Sequence, residues 1–130
     1  MSWDIILFNS RQTIKSVEEI DENLLEPTDF CSVLESYFDN IDKDDNHRRI
    51  KGTDFEIEFF TDSEEVNNKI LNLYGENGLF EIVILAQKNG WQIFDTGLEQ
   101  MIELNNPKTN GYINFDKYLK QVLDSSNKNE

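Results

Sequence analysis

The chain has 130 residues, a hydrophobic content of 38% and a formal net charge of −14. These values are typical of one folded domain, and they argue against two domains or a disordered acidic tail. The excess of carboxylates also argues against binding to nucleic acid or to an anionic membrane, because both require clustered basic side chains.

The first quarter of the chain predicts one strand and a short helix. Residues 2–8 form an apolar run, which predicts a strand with Ile5 and Leu7 on one face. Ser16 and Glu19 have the spacing of a capping box, in which each side chain accepts a hydrogen bond from the backbone N–H of the other residue. This pair predicts the start of a helix.

The central part of the chain predicts a second helix and a β-hairpin. Thr28 is the expected N-cap of the helix, since the apolar residues after it recur at helical spacing. Those residues are Phe30, Val33, Leu34, Tyr37 and Phe38. Residues 39–49 are polar and predict a loop. Residues 53–62 alternate between apolar and polar side chains and predict a half-buried strand, with residues 68–75 as its hairpin partner.

The last part of the chain predicts two helices separated by short strands. Residues 78–90 suit a strand by composition and a helix by length, and we interpret them as a helix. Its apolar stripe consists of Leu79, Ile82, Val83 and Ala86. Residues 91–96 and 100–104 predict strands, and a final helix begins after Asn114. The apolar face of that helix consists of Phe115, Tyr118, Leu119, Val122 and Leu123.

The order of these elements predicts an α+β fold. The first six elements follow the split β-α-β pattern of a ferredoxin-like βαββαβ sandwich, extended here by an added short strand and a C-terminal helix. We expect residues 1–124 to form a single domain and residues 125–130 a flexible tail. The terminal helix has an apolar face that must be buried, and the open face or the edge of the sheet is available for it to dock.

The tripeptide Asp95-Thr96-Gly97 has the sequence of an aspartic-protease motif. Acid proteolysis needs a second carboxylate and, after the motif, the strands that build a binding cleft, and the sequence after Gly97 provides neither. A turn between two strands is the simpler interpretation. It predicts that Asp95→Asn leaves the fold nearly unchanged and that Gly97→Val strains it, provided that Gly97 has a positive φ.

Residues 42–46 partly match a calcium-binding loop. Asp42, Asp44 and Asn46 occupy the first, third and fifth positions of a calcium loop. His47 stands where that loop needs glycine, and Thr53 where it needs glutamate, so we expect no metal site.

Cys31 is the only cysteine, which excludes an internal disulfide and predicts a packed core thiol. The first ten residues lack the pattern of a secretion signal, and no apolar run approaches the ~20 residues needed to span a bilayer. We therefore expect a cytoplasmic setting, with no cofactor.

A candidate binding surface follows from the strand alternation. The predicted partner-binding residues on the outer face of the sheet are Glu56, Glu58, Phe60, Tyr74 and Phe94. Asn72 and Gln92 are expected to share this face. Aromatic anchors among carboxylates suit recognition of a basic protein. The alternative is that the terminal helix covers these aromatic residues.

Three segments carry a resemblance to a known family. The opening MSWDIILF, the central GTDFEIEF and the later ILNLYG with GWQIFDTG resemble a family of small uncharacterised bacterial proteins. In that family an MSWDI strand, a G-x-x-F-x-I-E strand and a G-W-x-x-x-D-T segment recur in this order. The resemblance implies a shared fold up to about Leu104 and brings no activity with it. In size and acidity the chain also resembles toxin-immunity proteins.

The leading functional interpretation is a non-catalytic, acidic protein-binding module. It would act as an immunity or inhibitor-type protein on a basic partner, using the outer face and the acidic stretch 18–42. No catalytic set is evident, so the interpretation leans away from an enzyme. The alternative is a small-molecule or metal-dependent enzyme or sensor that uses Glu56, Glu58 and Asp95. The sequence leaves the oligomeric state open.

Overall fold

The computed structural model of the chain describes residues 2–128, with side chains described through residue 122. Within these residues seven strands form one sheet in which every neighbouring pair is antiparallel, and three α-helices accompany it. The strands are β1 (Ser2–Phe8), β2 (Ile41–Asp44), β3 (His47–Gly52), β4 (Phe55–Phe60), β5 (Asn68–Tyr74), β6 (Gln92–Asp95) and β7 (Gln100–Met101). The helices are α1 (Phe30–Tyr37), α2 (Glu76–Asn89) and α3 (Phe115–Lys128).

The strand order across the sheet is β2-β3-β4-β5-β1-β6-β7. Strand β1 pairs with β5 on one side and β6 on the other, so that Ile5 lies opposite both Leu71 and Asp95. The four strands predicted in the first six elements are therefore adjacent, in the order β4-β5-β1-β6. The hairpin β2–β3 extends one edge of the sheet, and the short β7 extends the other.

The hydrophobic core lies between one face of the sheet, called here the inner face, and the helices. Alternate residues of the strands and the apolar stripes of the helices meet there, as the periodicities predicted. The fully buried members include Ile5, Leu7, Ile57, Leu71, Leu73, Ile93, Leu34, Leu79, Ile82, Val83 and Ala86. Each fully buried Leu or Ile side chain contributes about 1.5–3 kcal/mol relative to exposure, which makes this layer the main source of stability.

The terminal helix α3 packs against α2. The ring of Phe80 lies 5.5 Å, between centroids, from both Phe115 and Tyr118. Glu81 of α2 accepts hydrogen bonds from the hydroxyl of Tyr118 and, at 2.9 Å, from that of Tyr37 in α1. Burial, together with these bonds to a carboxylate, raises the pKa of both tyrosines. The proposal that α3 covers the open face of the sheet is therefore wrong, because the apolar face of α3 packs against Phe80 of α2 instead.

The predicted loop at residues 39–49 is wrong. This segment forms the β2–β3 hairpin, with Ile41 opposite the fully buried Ile50 and a left-handed residue, Asp45, at the turn. Its side chains are mostly charged, so the strands are held by backbone pairing and carry little of the apolar alternation that marks a strand in a sequence.

The starts of the first two predicted helices also differ. Asp29, rather than Thr28, caps α1, because its carboxylate accepts the backbone N–H of Ser32 at 3.0 Å. The predicted capping box is absent from the 3₁₀ turn Val17–Glu19, where the Ser16 side chain makes no cap bond. The side chain of Gln12 donates to the Glu19 carbonyl at 2.9 Å and accepts the backbone N–H of residue 21 at 2.8 Å, which ties this segment to the loop that follows β1.

At the end of the chain, α3 continues to Lys128, so part of the predicted tail is helical. Residues 129–130 of that tail, and the side chain of Leu123 on the predicted apolar face, lie outside the described part of the chain.

Candidate binding face

The face of the sheet opposite the core, called here the outer face, carries all five predicted partner-binding residues. Glu56, Glu58 and Phe60 project from β4 on the side away from the buried residues of that strand. Tyr74 of β5 lies opposite Glu56, and Phe94 belongs to β6 two strands away. The structure thus brings Glu56, Glu58, Phe60 and Tyr74 into one region and places Phe94 at its border. Asn72 and Gln92 lie on the same face, as expected.

An apolar row crosses the outer face. Ile6 of β1 lies directly opposite Ile70 on one side and Phe94 on the other. Phe60 and Ile70 are 59% and 58% exposed, which is unusual for large apolar side chains on neighbouring strands. Contiguous exposed apolar patches on a folded protein often mark interaction surfaces. The sequence analysis overlooked Ile70, although the alternation in residues 68–75 places it on the same face as Asn72.

The β6 end of the outer face is partly covered by the chain itself. The side chain of Gln92 accepts the backbone N–H of Ile14 at 2.8 Å and donates to the carbonyl of Gln12 at 2.7 Å. This holds the segment 12–18 beside Phe94 and Met101, with which it lines a shared surface depression. The open part of the face is therefore centred on Phe60 and Ile70.

Strand β3 places basic side chains beside the carboxylates of the outer face. The predicted loop at residues 39–49 gave no indication of this position. Arg49 lies opposite Glu58, and its guanidinium is 2.7 Å from the carboxylate. His47 Nε2 is 3.7 Å from the other oxygen of Glu58, and its ring contacts that of Phe60 at a tilt of 58°, with the centroids 5.2 Å apart. Lys51 lies opposite Glu56 but forms its ion pair with Asp42, at 2.9 Å. Glu58 is consequently compensated within the chain.

A groove of about 720 Å³ opens on the outer face where β4 and β5 part. The pairing of these strands ends at Glu58 opposite Asn72, so the groove begins beyond that pair. It is lined chiefly by Asp4, Glu58, Phe60, Asp62, Glu65 and Ile70. We call this depression the outer groove, and its lining also includes Lys69 and Asn72.

The outer groove contains one cation, Lys69, which is already partnered. Its side chain is only 7% exposed, and its ammonium donates to Asp62 at 2.8 Å and to the carbonyl of Phe60. Asp4 accepts a hydrogen bond from the side-chain amide of Asn72 at 2.8 Å. Within residues 2–122, neither Asp4 nor Glu65 belongs to an ion pair. The groove therefore has carboxylates at its rim and apolar side chains between them.

The Asp95 segment is a turn, as predicted, and it also anchors the C-terminal part of the chain. Asp95 is fully buried, and one oxygen accepts the backbone N–H groups of Gly97 at 2.9 Å and Leu98 at 3.1 Å. The other oxygen accepts the hydroxyl of Tyr112, whose pKa is raised by burial and by this bond. The positive φ in the turn belongs to Glu99, at 55°, so the expectation for Gly97 was wrong.

The carboxylates of the alternative enzyme hypothesis do not converge. Asp95 lies on the inner face, whereas Glu56 and Glu58 lie on the outer face three strands away. Among the described residues no group of three His, Cys, Asp or Glu side chains is placed to hold a metal ion. Cys31 is a buried residue of α1, and burial raises the pKa of its thiol.

The acidic stretch 18–42 does not form a single patch. It runs through two 3₁₀ turns, α1 and the start of β2. Glu26 pairs with Arg11 at 2.7 Å, and Glu35 pairs with Arg48 at 3.1 Å, so part of its charge is neutralised locally.

Comparison with protein-family models, with curated proteins and with solved structures finds no match to this chain. Among the described residues, no helix has both the length and the apolar character needed to cross a bilayer. The function must therefore be argued from the outer face itself.

Proposed function

We propose that this chain is a non-catalytic protein-binding domain that uses its outer face to bind a basic protein, as an immunity or inhibitor-type protein does. The observation that carries the proposal is the exposure of Phe60 and Ile70 on a sheet face that none of the described helices covers. Apolar side chains in the centre of a binding site, with charges around them, are the usual composition of a protein interface.

The net charge indicates the kind of partner. A chain with a formal charge of −14 attracts a basic protein from a distance and repels acidic ones, so the association rate depends on salt. Affinity comes mainly from the apolar anchors once they lose contact with water. Electrostatic steering and apolar burial therefore have separate roles in this proposal.

The proposal also includes the type of fold and the cellular environment of the chain. The order β4-β5-β1-β6 with α1 and α2 as the two crossovers supports a ferredoxin-like sandwich, to which β2–β3, β7 and α3 are additions. A single buried cysteine supports a reducing, cytoplasmic environment.

The test is a binding measurement with matched surface variants. Basic proteins retained by the immobilised chain from a lysate of its source organism are identified, purified and titrated calorimetrically. We expect Phe60→Ser and Ile70→Ser each to weaken binding by about tenfold or more, because central apolar anchors are typical hot spots. Ile113→Ser is the matched control, since Ile113 is 73% exposed, belongs to no strand of the sheet and does not line the outer groove.

The proposal fails if no purified basic protein binds, or if Ile113→Ser weakens binding as much as Ile70→Ser does. Circular dichroism and thermal unfolding of each variant establish that the fold is retained. Raising the salt concentration is expected to slow association more than it speeds dissociation.

A further inference from the structure

The outer groove combines carboxylates that have no ion pair in the described structure with exposed apolar surface. Asp4 and Glu65 lie at its rim without a cationic partner in the described structure. Phe60 and Ile70 supply its apolar surface. Its volume of about 720 Å³ is in the range of ligand-binding depressions, roughly 300–1,000 Å³.

The remaining charges of the groove are already compensated. Glu58 is held by Arg49 at 2.7 Å, and Asp62 by the buried ammonium of Lys69 at 2.8 Å. Because Lys69 is bound to Asp62 and to the Phe60 carbonyl, it is not free to neutralise the rim. Among the described residues that line the groove, the cation is already paired, so an incoming cation is attracted to Asp4 and Glu65.

These features match the chemistry of an arginine side chain. Its methylene groups can pack on Ile70, and its planar guanidinium can stack on the ring of Phe60 and donate two parallel bonds to a carboxylate. A lysine ammonium is more strongly hydrated and lacks the planar fork, so it fits the apolar part of the groove less well.

We propose that the outer groove receives an arginine side chain from an exposed loop of the basic partner, with Asp4 and Glu65 as its carboxylate acceptors. This inference rests on the proposed function, because it names the subsite within the same face. It shifts the centre of recognition away from Glu56 and Glu58, which the sequence analysis favoured, to the point where β4 and β5 part.

The first test uses a short peptide probe with two arginines separated by glycine, blocked at both ends, and records amide chemical shifts of the ¹⁵N-labelled protein. We expect concentration-dependent shifts at Glu65, Ile70 and Asn72, and weaker binding, by about threefold or more, for the same peptide with lysines. Glu65→Gln is expected to reduce the shifts. Glu22→Gln, which removes the same charge from an exposed 3₁₀ turn, is the matched control.

The second test uses the purified basic partner. Asp4→Asn and Glu65→Gln are expected to weaken its binding by about tenfold each, as the loss of a charge-assisted hydrogen bond does, while Glu22→Gln changes it little. Asp4→Asn keeps an oxygen that can accept the bond from Asn72, so the variant is expected to fold.

The outcomes separate the two proposals. If Phe60→Ser weakens binding of the partner but Asp4→Asn and Glu65→Gln do not, the groove inference is refuted and the proposed function stands. If Glu22→Gln weakens binding as much as Glu65→Gln, only the overall charge matters, and the groove inference is refuted again. Peptide shifts confined to residues outside the groove also refute it. If no basic partner binds the wild-type chain, the proposed function itself fails.

Discussion

Removal of the Tyr112 hydroxyl tests the assignment of Asp95 as a buried anchor. The two residues are 17 positions apart, and their hydrogen bond ties the β6–β7 turn to the segment that leads into α3. Tyr112→Phe removes this bond while keeping the ring that packs edge-on against Phe80, with the centroids 6.2 Å apart. The fully buried Asp95 then keeps only its two backbone donors.

The expected loss follows from the charge and burial of the acceptor. A hydrogen bond to a charged group contributes about 1.5–3 kcal/mol, more than a bond between neutral groups. We expect Tyr112→Phe to lower the free energy of unfolding by about 2 kcal/mol, or roughly 7 °C in Tm for a domain of this length. Asp95→Asn keeps an oxygen for the turn but loses the charge, so we expect a folded protein that is about 1–2 kcal/mol less stable.

Urea unfolding followed by circular dichroism measures both variants and their combination. The double-mutant cycle is expected to give a coupling energy of about 1–2 kcal/mol, since each change removes part of the same bond. Tyr74→Phe is the control, because Tyr74 lies on the outer face, and it should change stability by less than about 0.5 kcal/mol. A Tyr112→Phe variant as stable as wild type, or a coupling energy near zero, would refute the anchor.

Two further predictions concern stability. Asp29→Ala should lower the free energy of unfolding by about 1 kcal/mol, and Thr28→Ala should lower it less, because Asp29 caps α1; equal losses in urea unfolding would contradict this. Tyrosines with raised pKa values should make the protein less stable as pH rises above about 10, since the unfolded chain then loses protons that the folded chain keeps. The three tyrosines are Tyr37, Tyr112 and Tyr118. A urea midpoint that stays constant from pH 9 to pH 11 would contradict the pKa shifts.

Much of the hydrophobic core could be predicted from local periodicity in the sequence. The alternation around Ile57 and the helical stripe from Leu79 to Ala86 predicted which side chains are buried, because each pattern repeats the geometry of one element. The turn at Asp95 was predictable for the same reason, since aspartate followed by glycine is a local signal. The outer placement of Glu56, Glu58 and Phe60 also follows from alternation alone.

The β2–β3 hairpin was beyond such a prediction. Its charged strands pair through the backbone, so the sequence carries no apolar period to mark them. The proximity of the β3 cations to Glu58 therefore could not be predicted from the sequence.

Three features depended on contacts between distant parts of the chain. The helix α3 has an apolar face that suits either side of the sheet, and the position of Phe80 on α2 decides between them. The burial of Asp95 depends on Tyr112, and the outer groove depends on where β4 and β5 part. The sequence by itself determined most of the elements, their buried faces and the acidic surface. Only the tertiary structure decided that the outer face remains open and acquires an acidic groove, because docking and strand divergence are set by packing between distant residues.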